Sequence, residues 1–399
     1  MPSDTRQPSN PATQQLLVLA SILYFSQGFP YGLVTELAPI YLRVMHMPLA
    51  KITSLLGLVS FAWPAKFLWS PLIELGTYRR WIAGALAVMT VMLISLSTST
   101  ITLTIVLLIL AFASATQDIA IDAFTIRITP NPLLGLVNSI RVTAFRVAII
   151  VSGGGLAAVA GYFGWRIAFA CAAAITALVL AFTFVMPDDR AKKRAERNLV
   201  RDLVEWLKRP RAFTLLALVL LYRLGEFAIV LIIKPYWVDR GYSVAEIGTI
   251  TTVVGASVLI FGAFAGGAFV AKFGVYRALV WMGIAQVVSN IGYAAVATLN
   301  AGRWGIYAAS IAENLGYGLG NAAFLAFLMA ICDKERAATE FALLTALWGV
   351  SRMIMGKYSG DIAQSLGYAP FFWISVFLGI PALLLLPRAR IILSEAKDP

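Results

Sequence analysis

One histidine, His46, stands in a sequence of 399 residues. Without a second imidazole there is no His-Glu-x-x-His zinc site, and no Walker phosphate loop is present to suggest nucleotide chemistry. Neither a metal nor an organic cofactor is expected, and an enzyme is excluded for want of a nucleophile–base set. Cysteine is almost as scarce. Cys171 and Cys332 lie in or at the ends of apolar runs with no metal-ligand spacing, so they read as packing thiols. Charge is short too, at 13% against 60% hydrophobic residues, and mean hydropathy is +0.81. A soluble globular domain carries about 25% charge, which excludes that class. Long polar stretches are missing as well. The longest, 188–211, is too short for the soluble domain that a membrane sensor would be expected to carry.

What the sequence has is apolar runs long enough to cross a bilayer. Twelve are readable: 16–42, 51–73, 81–98, 101–126, 133–161, 165–186, 212–238, 244–270, 275–298, 304–331, 337–362 and 368–387. They predict an all-α integral membrane protein of 12 transmembrane helices in two pseudo-symmetric six-helix bundles, 16–187 and 212–387. A basic linker, 188–211, joins the bundles, with tails at 1–15 and 388–399. The run after residue 15 exceeds a signal-peptide core and reads as a retained first span.

The formal net charge is +12, yet nucleic acid is not needed to explain it, because the basic residues sit between apolar runs. With a cytoplasmic N-terminus, 20 of the 32 Lys and Arg fall in cytoplasmic segments, five on the opposite side and seven within spans. Basic residues concentrate on the cytoplasmic side, which places both termini there.

The six-plus-six division carries an internal repeat. Arg146, Gly154, Gly161 and Tyr162 recur at the same spacing as Arg352, Gly360, Gly367 and Tyr368. Same-direction repeats of six spans relate by an axis along the membrane normal, the arrangement of the major facilitator fold.

Charges inside the spans are the candidate functional groups, since a buried aspartate costs roughly 2.5–3.5 kcal/mol on insertion scales. Asp118 and Asp122 are four apart and share a helix face. Depth puts them and Lys66 toward the cytoplasmic side, where they can pair. Such a pair is either a latch for alternating access or a permanent clamp, and the sequence leaves both open. Near mid-depth lie Arg146, Glu226, Glu313 and Arg352. Arg146 and Arg352, with Arg141 behind them, suit an anionic substrate group because a guanidinium grips carboxylate with a planar fork; alternatively they pair with Glu226 and Glu313 to hold the halves together. Either glutamate can carry a proton. Gln27, Asn314, Tyr317 and Asn321 add polar groups suited to sugar or peptide. His46 lies in an outer loop, so any proton coupling rests on carboxylates.

Several stretches resemble one branch of the major facilitator superfamily, the AmpG muropeptide permeases, which are related to endoplasmic-reticulum acetyl-CoA transporters. They are Tyr24-Phe-Ser-Gln-Gly-Phe-Pro30, Lys66-Phe-Leu-Trp-Ser-Pro71, Ser114-Ala-Thr-Gln-Asp-Ile-Ala-Ile-Asp-Ala123, Tyr222-Arg-Leu-Gly-Glu226, Glu313-Asn-Leu-Gly-Tyr-Gly-Leu-Gly-Asn-Ala-Ala-Phe324 and Ala338-Thr-Glu-Phe-Ala-Leu-Leu-Thr-Ala346. The resemblance implies a monomeric multi-pass protein of the bacterial inner membrane that imports a bulky anionic, glycopeptide-like solute with protons. It also implies an essential role for Asp118 and Asp122. Glu226 stands where relatives often have Asp, and the second-to-third loop is eroded to Glu74-Leu-Gly-Thr-Tyr-Arg79-Arg80. Transport of an acyl-CoA-like or drug-like solute is the alternative within the class; a non-transporting sensor is a further one.

Overall fold

The computed structural model describes residues 11–98, 103–130, 133–187, 212–331 and 337–395. The linker 188–211 and Cys332 lie outside them. The described residues form twelve helical passages and no strand, as expected where lipid offers backbone groups no hydrogen-bond partner. Ten of these passages are long and apolar enough to span a membrane. The eleventh, Ala337–Leu366, has the length but is more polar. The second is a shorter apolar helix, Leu49–Ala65.

That second passage departs from the uninterrupted span 51–73 of the sequence reading. Pro64 and Pro71 each lack a backbone N–H, and the chain responds by tightening. It turns at Phe61, whose N–H bonds Leu58 O at 3.1 Å, and winds on as 3-10 turns over Lys66–Leu68 and Ser70–Leu75. The twelfth passage, Tyr368–Glu395, runs beyond residue 387.

Two compact units emerge, Met1–Leu37 with Lys66–Arg194, and Ala38–Ala65 with Ala195–Pro399. Both joints of the Ala38–Ala65 segment fall where the helix is not α: the π-helical turn Leu33–Leu37 and the 3-10 turns that begin at Lys66. In the first unit the first passage packs on the fourth and fifth, and the third on the fourth and sixth. Gly28 permits the close crossing of first and fifth, since a Cβ there would lie 2.5 Å from Phe145 O. In the second unit the tenth passage packs between the eighth and ninth, while Leu49–Ser60 packs on the eleventh. Gly57 and Gly356 meet backbone to backbone in that last crossing, where a Cβ on Gly57 would lie 2.8 Å from Gly356 Cα. Small residues at crossings let helices gain van der Waals contact in a solvent that offers no hydrophobic drive between them.

Single glycines turn one passage into the next. Gly164 (φ +89°) separates the fifth from the sixth, and Gly367 (φ +86°) the eleventh from the twelfth, both in a region costly to a residue with a Cβ. These two turns correspond at an offset three residues shorter than that of the Arg146/Arg352 repeat. The repeat register therefore changes before the turn, and Gly161 is helical where Gly367 is not. The π-helical segment Ile150–Gly155, which has no counterpart in the eleventh passage, accompanies the change.

Candidate functional site

The first unit gathers its charges around the fourth passage, Leu103–Ile128. Lys66 Nζ lies 3.5 Å from Asp118 Oδ2 and 4.0 Å from Asp122 Oδ2. Arg141 Nη1 approaches Asp122 Oδ1 at 3.5 Å, and its guanidinium centre stands 5.3 Å over the Tyr24 ring. The helical spacing that puts both carboxylates on one face thus meets two cations from neighbouring passages. Lys66 gets there because the second passage has just left the α-helix. Gln27 lies beside Asp118. Next to it Gln117 donates to Ser26 Oγ at 3.0 Å, and Trp69 Nε1 to Thr116 Oγ1 at 3.1 Å. Asp118 is almost wholly buried, with Oδ1 free of any hydrogen-bond partner, and so can accept a proton or a donor group. Two cations and two carboxylates in a row can exchange partners without stranding a charge. Such a network can serve a gate.

Arg146 is half-buried on the same helix as Arg141. It makes no ion pair with a carboxylate of the described residues.

The second unit buries a separate polar cluster. Glu226 accepts from the Gln286 amide at 3.4 Å, and Glu313 from the Asn314 amide at 2.9 Å. A cation near Glu226 is Arg223, whose guanidinium centre lies 4.2 Å over the Tyr317 ring. The sequence reading gave that place to Arg146 and Arg352, which lie near the same depth as the glutamates. Arg223 had its own signal, an arginine inside an apolar run three residues before Glu226. Asn321 lies on the same helix as Tyr317, its Oδ1 buried without a hydrogen-bond partner. Arg352 is half-buried on the eleventh passage, its Nε also without one, next to Ser351, which donates to Leu220 O at 3.0 Å. Gly316 and Gly320 pack against Ser289 and Gln286, consistent with a packing surface rather than a phosphate cradle.

A third arrangement had no sequence signal. Arg43 Nε and Nη2 grip the two Asp239 oxygens at 2.6 and 2.5 Å, Nη1 donates to Met47 O at 2.9 Å, and Tyr368 hydroxyl donates to the same carboxylate. All of these residues belong to the second unit. No group of three or more His, Cys, Asp or Glu is placed to hold a metal among the described residues.

Comparison with known proteins bears on what such a scaffold does. The sequence profile of the Major Facilitator Superfamily matches residues 16–356 and 215–397. An anhydromuropeptide permease of Escherichia coli is 31% identical over 92% of this chain and 78% of its own length. A putative transporter of Rickettsia felis, designated AmpG 4, is 24% identical over 92% and 94%. Among solved structures, the nucleoside transporter NupG superposes with a TM-score of 0.70 at 16% identity, over 94% of this chain and 98% of that one. The D-xylose–proton symporter does so with a TM-score of 0.69 at 13% identity, over 94% and 97%.

Proposed function

Because this chain belongs to the major facilitator superfamily and is a membrane transporter of the AmpG-like kind, we propose that it imports a bulky anionic solute, anhydro-muropeptide-like in class, together with protons. The observation that supports this solute class is the 31% identity, spread over 92% of the chain, to a permease named for anhydromuropeptide. A bacterial inner membrane, cytoplasmic termini and a monomer complete the reading.

The charges divide the work. Asp118, Asp122 and Lys66 act as the gate, pairing in one conformation and parting in another; leaving one such charge unpaired costs roughly 3–5 kcal/mol, enough to bias two states. Arg146 and Arg352 are the choice for the anionic group of the solute. Arg141 joins them by exchanging its Asp122 contact for a solute carboxylate. Gln27, Asn314, Tyr317 and Asn321 offer the donors and acceptors that a sugar or peptide requires. Glu226 and Glu313 supply carboxylates for the proton.

The test is uptake of labelled anhydro-muropeptide into proteoliposomes under an inward-directed pH gradient. Accumulation that collapses with the gradient is expected; accumulation indifferent to the gradient would refute proton coupling. Asp118→Asn and Asp122→Asn should each abolish uptake in folded protein. Wild-type rates in both would refute the gate.

A further inference from the structure

The ninth passage, Val275–Thr298, and the twelfth, Tyr368–Glu395, run antiparallel and in contact along most of their length. At one end the Arg390 guanidinium stands 6.0 Å from the Tyr276 ring centre. A Cβ on Gly283 would lie 3.2 Å from Leu383 Cδ2, and one on Gly379 2.7 Å from Val287 Cγ2. At the other end the Trp373 indole donates to Thr298 Oγ1 at 3.1 Å. Exposed residues recur on both helices at steps of three or four: Arg277, Trp281, Ile284 and Val288 on the ninth, and Phe377, Ile380, Leu384 and Arg388 on the twelfth. That spacing puts each set on one face of its helix. The tenth passage backs the ninth and the seventh backs the twelfth, so the two stripes lie next to each other on the outer side of the second unit.

Both stripes are apolar except at the same end. There Arg277 and Arg388 close them, Arg390 stands over Tyr276, and Lys272 lies in the last turn of the eighth passage with its Nζ 5.2 Å over the Phe273 ring. All four cations are exposed, and none pairs with a carboxylate of the described residues. From Arg277 to Val288 the ninth helix rises about 16 Å at 1.5 Å per residue, half of a hydrocarbon core about 30 Å thick. The face thus has the length of one lipid leaflet, with apolar side chains along it and positive charge at its head. Any lipid covers apolar side chains equally well. Only an anionic one also neutralises the arginines.

We propose that the outer face of the ninth and twelfth passages is a binding site for an anionic glycerophospholipid. Arg277 and Arg390 hold its phosphate, Lys272 and Arg388 flank the head group, and the acyl chains lie along Trp281, Ile284, Phe377 and Leu384. A guanidinium meets phosphate oxygens with two parallel N–H groups, and basic clusters between membrane helices are where anionic head groups lodge. Half-buried Tyr276 supports the Arg390 guanidinium by a cation–π contact, which presents the fork to the head group. A phosphate free in water would meet the same cations but leave the apolar stripes unused, so the lipid is the better fit. With cytoplasmic termini the site faces the cytoplasmic leaflet; its existence does not depend on that orientation or on the solute carried.

The test is native mass spectrometry of the full-length protein in detergent, titrated with dioleoyl phosphatidylglycerol and, separately, with dioleoyl phosphatidylethanolamine. The wild type should retain phosphatidylglycerol in preference. A basic residue beside an anionic lipid is worth about fivefold in affinity, so Arg277→Gln with Arg390→Gln should weaken phosphatidylglycerol binding about 25-fold and leave phosphatidylethanolamine unchanged. Arg277→Lys with Arg390→Lys keeps the charge and should hold most of the preference. Removing two exposed cations elsewhere, Arg80→Gln with Lys357→Gln, should not alter it. Excess glycerol 1-phosphate should fail to displace the lipid. No preference in the wild type, an undiminished preference in the glutamine pair, or equal loss in the control pair overturns the site. Loss as complete in the lysine pair as in the glutamine pair overturns the charge argument, and displacement by glycerol 1-phosphate marks a site for free phosphate esters instead of lipid.

Discussion

Removing Lys66 should cost more than removing the aspartate it faces. Asp118 is almost wholly buried, whereas about a third of the Lys66 side chain is exposed. At 3.5 Å and an effective dielectric constant near 20, the gross attraction is about 5 kcal/mol. Desolvation of the carboxylate and partial hydration of the ammonium reduce the net coupling to about 2 kcal/mol. Lys66→Met leaves Asp118 buried without its cation and beside the Asp122 carboxylate, and should destabilise by about 3 kcal/mol. Asp118→Asn should cost about 1 kcal/mol, because Lys66 retains Asp122 at 4.0 Å. The double variant should then lie near 2 kcal/mol, more stable than Lys66→Met alone. Unfolding free energies of the four proteins in detergent give the coupling directly. A coupling within about 0.5 kcal/mol of zero would refute the electrostatic argument. The same four proteins separate a latch from a clamp. If the pair is only a clamp, the double variant recovers uptake along with stability. If it is a latch, the double variant is stable and does not transport.

Gly356→Leu should destabilise by about 3 kcal/mol by overpacking, because the new Cβ would lie 2.5 Å from Gly57 Cα and 2.9 Å from Thr53 O, both backbone atoms that cannot rotate away; detergent unfolding checks it, and a neutral result would show that the crossing opens readily. Arg43→Met should cost about 1 kcal/mol, since Arg43 and Asp239 are 21% and 26% exposed in their side chains, and the difference from wild type should shrink in high salt; salt-independent loss would mean that packing, not charge, is at work. Gly367→Ala should cost about 1–2 kcal/mol through its positive φ, read as a lowered unfolding midpoint, whereas Gly360→Ala should fail through a backbone clash rather than through φ.

The fold was legible because apolar length is a strong signal and the bilayer leaves the backbone little choice. The second passage was harder. Hydropathy alone extends it to residue 73, and only the local effect of Pro64 and Pro71 on hydrogen bonding shortens it. The meeting of Lys66 with Asp118 and Asp122 could be read from depth, since each residue's distance from its span end was known. Arg223 was overlooked because depth directed attention to Arg146 and Arg352, although the Tyr222-Arg-Leu-Gly-Glu226 stretch held it in view. Nothing in the sequence joins Arg43, Asp239 and Tyr368. They come from the ends of three passages, and no periodicity reports which helix ends meet.

The charge count around the fourth passage bears on what that cluster can do. Two cations meet two carboxylates there, so the four groups are neutral together with every group ionised, and moving Lys66 or Arg141 only redistributes partners. A network that is already neutral can change shape without exchanging anything with water, which suits the gating role proposed for Asp118 and Asp122.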